Sequence, residues 1–114
     1  MNHWDDAVGY ALTLPGTVIE PHYGAPSVKV AANGRAFLSP GRESDSFCLH
    51  LDHDTIELLK ETDPATFYQT PHYQGWGAVL VRYASRDPDR VMAMIDRAYE
   101  QAAAKSKAKP RRKP

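Results

Sequence analysis

An Asn-Gly pair between two β-compatible runs, Val28-Lys29-Val30-Ala31-Ala32 and Arg35-Ala36-Phe37-Leu38, constrains this chain more than any other local signal. Asn33 and Gly34 both tolerate positive φ, which a two-residue type I′ turn demands, so an antiparallel hairpin is expected. A polar loop, residues 39–45, leads to a further strand in which Phe47, Leu49 and Leu51 share one face at period two. That alternation predicts three buried side chains and leaves Cys48 and His50 exposed or half-exposed. Residues 17–20 read as a short β-branched strand, and residues 78–83 as a nearly continuous apolar one that belongs inside a sheet.

Helical spacing appears at both ends of this β-rich middle. Trp4, Val8, Ala11 and Leu12 recur at helical intervals behind Asp5 and Asp6, predicting a helix over residues 2–13 that Leu14-Pro15-Gly16 stops. Asp52 is placed to cap a short helix ending near Thr62, with Ile56 and Leu59 on one side. Asp63-Pro64 then opens a turn, read as one helical turn through Phe67, and an uncharged aromatic loop follows over residues 67–77. Asp87-Pro88 is a strong helix start, and Val91, Met94 or Ile95, Ala98 and Ala102 form its apolar stripe. Helices flanking a hairpin, without regular alternation of strand and helix, predict an α+β domain with a mainly antiparallel sheet.

Charge divides the chain where its apolar pattern stops. The 114 residues have a formal net charge of zero, yet residues 105–114 hold six basic groups and no acid. Residues 1–104 therefore carry eight basic and fourteen acidic groups, a net of −6. The expectation is one domain over residues 1–104 and a disordered basic tail over 105–114, too poor in apolar groups to offset its ordering entropy. No stretch approaches a membrane span, and Met1-Asn2-His3-Trp4-Asp5-Asp6 lacks a signal-peptide layout, so a cytoplasmic protein is expected. A single Cys48 excludes an internal disulfide and a multi-cysteine zinc module.

Few motifs speak for catalysis. Neither G-x-G-x-x-G nor G-x-x-x-x-G-K-[ST] occurs, there is no G-x-S-x-G elbow, and Cys48 has no partner base at recognisable spacing. The cluster His50-Leu51-Asp52-His53-Asp54 straddles a strand end and a helix start, where its side chains diverge, so no metal or other cofactor is expected. Two Pro-His-Tyr segments offer another chemistry: His22, Tyr23, His72 and Tyr73, with Trp76, would line a polar-aromatic surface for a small ligand or a protein. The tail offers phosphate neutralisation at Lys105, Lys107, Lys109, Arg111, Arg112 and Lys113. On duplex DNA each contact adds about −0.9 to the log–log salt slope, roughly −5 for the whole tail.

The order of the motifs resembles that of the MmcQ/YjbR-like family of small bacterial proteins. The matching pieces are Leu14-Pro15-Gly16-Thr17, His22-Tyr23-Gly24-Ala25-Pro26-Ser27-Val28-Lys29-Val30 and Asn33-Gly34-Arg35-Ala36-Phe37. They continue with Leu49-His50-Leu51, Asp63-Pro64-Ala65-Thr66-Phe67-Tyr68-Gln69-Thr70-Pro71-His72-Tyr73, Gly75-Trp76 and the closing amphipathic helix, over about residues 8–103. The resemblance implies a CyaY/YjbR-like α+β fold whose hairpins project as two wings, and a DNA-binding role. It supplies no catalytic residues, and the expectation is a non-enzymatic protein. Lys29 and Arg35 on the hairpin and Arg42 in the next loop are then the wing residues best placed for a phosphate, with Arg82 and Arg86 as a second basic spot.

Overall fold

The computed structural model describes residues 3–22, 24–75 and 77–107. Three helices, α1 (Trp4–Ala11), α2 (His53–Thr62) and α3 (Pro88–Ala103), accompany six strands. The strands are β1 (Thr17–His22), β2 (Ala25–Val30), β3 (Arg35–Pro40), β4 (Ser46–His50), β5 (Phe67–Tyr68) and β6 (Ala78–Arg82). They form one sheet in the order β1-β2-β3-β4-β6-β5, and every neighbouring pair is antiparallel. The α+β class expected from the sequence is the one observed.

Alternation gives the sheet two unlike faces. Val28, Phe47, Leu49, Val79, Val81 and Phe67 join Ala7, Ala11, Val91, Ile95, Ala98 and Ala102 from the helices in one core. A bulge in β3, where Val28 faces Leu38 but Lys29 faces Ala36, lets the consecutive Phe37 and Leu38 both enter that core. Burial of an aromatic or aliphatic side chain of this size contributes about 1.5–3 kcal/mol, so this helix-covered face supplies most of the stability. Hydrogen bonds lock the helices: Tyr10 Oη donates to Asp96 Oδ1 at 2.7 Å, joining α1 to α3, and Tyr99 Oη donates to the Pro15 carbonyl at 2.7 Å.

The hairpin is present, but its turn is not the two-residue type I′. Such a turn would pair Ala32 with Arg35, whereas Val30 faces Arg35 and residues 31–34 form a four-residue connection, with Gly34 at φ 71°. The cause is the side chain of Asn33, which is buried rather than displayed at a hairpin tip. Its Nδ2 donates to the carbonyls of Ala102 at 2.8 Å and Lys105 at 3.1 Å, and its Oδ1 accepts from the Arg35 backbone N–H at 3.0 Å. The Ala102 carbonyl, which also accepts from the Lys105 N–H at 3.2 Å, and the Lys105 carbonyl just past the helix are bonded from across the sheet, so this hairpin closes on the end of α3 instead of standing out as a wing.

Other elements depart from the sequence reading in smaller ways. β1 runs through His22, and α1 is shorter than residues 2–13. Asp63 to Phe67 make the single helical turn expected, the Phe67 N–H donating to the Asp63 carbonyl at 2.9 Å, and it stops there because Phe67 and Tyr68 pair with Val81 and Leu80 as a short strand that the sequence reading placed in a loop. Cys48, expected at least half-exposed, is buried: Tyr68 and Tyr73 pack on Cys48, Ala78 and Leu80 on the sheet face away from the main core. His50 is half-buried, as expected. Asp87 caps α3 with Oδ1 accepting from the Arg90 N–H at 3.1 Å, and Pro88 opens the helix. No helix among the described residues is long and apolar enough to cross a membrane.

Replacing Asn33 with Ala leaves the Lys105 carbonyl and the Arg35 N–H without this partner and takes one of two donors from the Ala102 carbonyl, and is expected to lower the unfolding free energy by about 1–3 kcal/mol in urea denaturation. Asn33→Asp keeps the acceptor but sets a carboxylate against the negative end of the helix, so it should destabilise at least as much. An Asn33→Asp variant as stable as the parent would contradict this account of the cap.

Candidate functional site

Lys29, Arg35 and Arg42 leave the hairpin in three directions. Lys29 lies on the face of β2 opposite the helices, and its Nζ donates to the Pro21 carbonyl at 2.8 Å. Arg35, at the start of β3, turns to the end of α3, where its Nε donates to the Ser106 carbonyl at 2.9 Å. Arg42 is exposed in the β3–β4 loop, seven residues along an extended chain from Arg35, or about 20 Å. The structure therefore does not bring the three together; it groups Arg35 with exposed Lys105 and Lys107. Lys109, Arg111, Arg112 and Lys113, like Tyr23 and Trp76, lie outside the described residues, as does the disorder expected for most of the tail.

Of the second basic pair, Arg82 is engaged by its own neighbours. The Arg82 guanidinium stacks 3.9 Å from the Tyr68 ring centre, donates to the Ala65 carbonyl at 3.0 Å and lies 3.8 Å from the Asp45 carboxylate. Arg86 is exposed.

The two Pro-His-Tyr segments part company as well. Tyr73 packs over Cys48 and Leu80, and burial pushes its phenol pKa up while the backbone and charge of neighbouring Arg42 pull it back. His72 is exposed and meets Tyr73 edge-on at 5.2 Å. His22 instead meets His50, ring centre to ring centre at 5.8 Å and nearly perpendicular. Its pKa is lowered by burial and then by the charge of Lys29.

His50 belongs to a hydrogen-bonded row that sequence reasoning missed. Ser27 Oγ on β2 donates to Ser39 Oγ on β3 at 3.0 Å, and Ser39 Oγ lies 3.2 Å from His50 Nε2 on β4. Burial, with smaller contributions from His22 and Lys105, lowers the His50 pKa to about 4, so its ring is neutral at physiological pH. Burial also pushes the Cys48 thiol up to about 12, which makes it an inert thiol rather than a nucleophile. The alternation of β2 and β3 does put Ser27 and Lys29 on one face and Ser39 on one of its own. Only the register of both hairpins aligns them with His50.

The other members of the His50–Asp54 cluster point elsewhere. Asp52 stands at the N-cap of α2, but its Oδ1 accepts from Gln101 Nε2 at 2.8 Å while its backbone N–H donates to Gln101 Oε1 at 3.1 Å. Hydrogen bonds from Thr55 and Gln101 hold the Asp52 carboxyl below its usual pKa. A shallow cavity of about 530 Å³, lined by Leu51, Asp52, His53, Gln101 and Lys105 among others, separates this end of α2 from the end of α3.

An antiparallel six-stranded sheet, covered by helices on one face, defines the class as a small α+β domain. A model of the YjbR family matches residues 12–101, more than three quarters of the chain, and the protein belongs to that family. Comparison with curated proteins and with solved structures found no match to either.

The His50 shift carries a stability consequence with a definite sign. With a folded pKa of about 4 and an unfolded value of 6.5, the unfolded chain binds more protons between these limits, so stability falls as pH drops from 6.5 to 4. The single-site contribution is at most about 3 kcal/mol. Denaturation of the parent and His50→Gln at both pH values should show a smaller acid loss in the variant; equal losses would mean that His50 protonates freely in the folded protein.

Proposed function

We propose that this YjbR-family protein is a non-enzymatic DNA-contacting protein whose affinity is concentrated at the end of α3, where Arg35 from the hairpin and Lys105 and Lys107 begin the basic tail. The observation that carries the reading is the Arg35 Nε bond to the Ser106 carbonyl at 2.9 Å, which holds a sheet cation beside the root of the tail. A guanidinium has five N–H donors, so this bond leaves most of the fork for a phosphate. The domain over residues 1–104, at −6, repels a polyanion, which favours contact through the tail end rather than through the sheet. Such contact reads phosphates and carries no sequence preference.

The test is a salt titration of duplex-DNA binding by the full chain and by a full-length variant with Lys105, Lys107, Lys109, Arg111, Arg112 and Lys113 replaced by Gln. With Arg35 counted beside the six tail cations, the parent is expected to show a log–log slope approaching roughly −6 and the variant, which keeps Arg35, a slope of about −0.9. Arg35→Gln should reduce the magnitude of the parent slope by about 0.9, and Arg42→Gln should leave it unchanged. Equal affinity and slope in the parent and the six-fold variant would remove the proposal.

A further inference from the structure

The sheet face away from the helices holds polar side chains where apolar packing or full exposure would cost less. Ser27 is fully buried, Ser39 nearly so, and His50 half-buried, on three adjacent strands. A buried hydroxyl is tolerated when it is hydrogen-bonded, and here the row satisfies itself in one direction. The 3.0 Å bond from Ser27 to Ser39 is shorter than its 3.4 Å approach to the Ala25 carbonyl, which leaves the Ser39 proton for His50 Nε2 at 3.2 Å. The neutral imidazole then carries its own proton on Nδ1, the nitrogen that the row does not use.

The surroundings of that nitrogen are cationic or donor-rich. His22 from β1 stands against the His50 ring at 5.8 Å. Lys29 Nζ sits at the carbonyl of Pro21, the residue before His22, and one bond to a carbonyl leaves two of its three N–H donors. Among the described residues, Lys29 acts on His22, and His22 and Lys105 act on His50. This is a local reversal of sign in a domain of net −6. Glu20, which faces Ser27 from β1, is exposed and is the nearest acid along that row.

We propose that His50, His22 and Lys29 form a binding site on the open sheet face for the oxyanion group of a small molecule, a phosphate or a carboxylate, with Nδ1–H of His50 and the ammonium of Lys29 as donors. Ser27 and Ser39 are positioning residues that fix the tautomer of His50. Beyond the charge of Lys105 the site does not use the tail, and it is separate from DNA contact because it lies on the sheet face opposite the helices.

The test follows the imidazole ¹⁵N and ¹H signals of the full-length protein during separate titrations with sodium phosphate and sodium acetate at constant ionic strength. The expected result is a saturable movement of the His50 and His22 signals below ~10 mM of one anion, and the preferred anion identifies the ligand group. Lys29→Met should weaken binding about tenfold, Lys29→Arg should retain it, and the surface change Glu20→Gln should tighten it two- to threefold. Ser39→Ala should shift the His50 ¹⁵N pattern away from the Nδ1–H tautomer, which a merely structural serine would not do. Static His22 and His50 signals with both anions, or unchanged affinity in both Lys29→Met and Glu20→Gln, would overturn the site. A tail variant that keeps Lys105 and carries Gln at positions 107, 109, 111, 112 and 113 should bind the anion like the parent; loss of anion binding there would also overturn it, whereas loss of DNA binding alone bears only on the tail.

Discussion

The contact between Asn33 and the end of α3 organises much of this domain. A helix ends with carbonyls that have no intrahelical donor, and the last turn of α3 carries no basic side chain to compensate them. Asn33 supplies two donors from a loop nearly seventy residues earlier in the chain, and the same amide accepts the Arg35 N–H. One side chain thus sets the shape of the β2–β3 turn and presses the hairpin to the helix. It also fixes where the chain leaves the domain at Lys105. Gly34, at positive φ, gives the backbone the reversal that lets the neighbouring Asn33 side chain point inward.

From that anchor the sheet divides its labour by face. The helix-covered side is apolar and closed, with Phe37, Phe47 and Phe67 all fully buried. The opposite side is covered at one end by Tyr68 and Tyr73 over Cys48 and Leu80, and elsewhere presents the serine–histidine row. A sheet that needed only stability would place exposed charges or apolar contacts there. Buried hydroxyls that satisfy one another contribute little net stability and gain orientation. The arrangement therefore makes more sense as a device that orients His50 than as a source of folding energy.

The sequence made the α+β class, five of the six strands, the start of α3 and the buried character of β6 readable, because each rests on local periodicity or on a cap. It made the turn at Asn33 unreadable in detail. The Asn-Gly pair has the propensity for a type I′ turn, and a contact with Ala102 and Lys105 overrides that propensity through tertiary structure no local rule contains. Cys48 was misread for a related reason: alternation in β4 puts it opposite the main core, but only the fold shows that Tyr68 and Tyr73 cover that face as well. The candidate residues fared likewise. Lys29, Arg35 and Arg42 look adjacent along a hairpin, yet alternation and strand length send them to different places, and His22 finds His50 rather than the echoing His72.

The net charge of zero conceals two opposite local fields, and the end of α3 is where they meet. The helix C-terminus is a partial negative pole, which draws cations into its vicinity independently of any nucleic acid. Lys105 and Arg35 lie there, and part of the Arg35 charge is already engaged with the Ser106 carbonyl. The engagement is partial, since Arg35 uses one of five donors and Lys105 remains exposed. A phosphate arriving at this end meets the Arg35 guanidinium already held in place by the fold, losing less side-chain entropy than an unanchored cation would. The same fold keeps the acidic groups of the domain attached to that end, which limits the attraction to short range at physiological salt. Tight capping of α3 by Asn33 and weak, local attraction for phosphate are thus two consequences of one helix terminus.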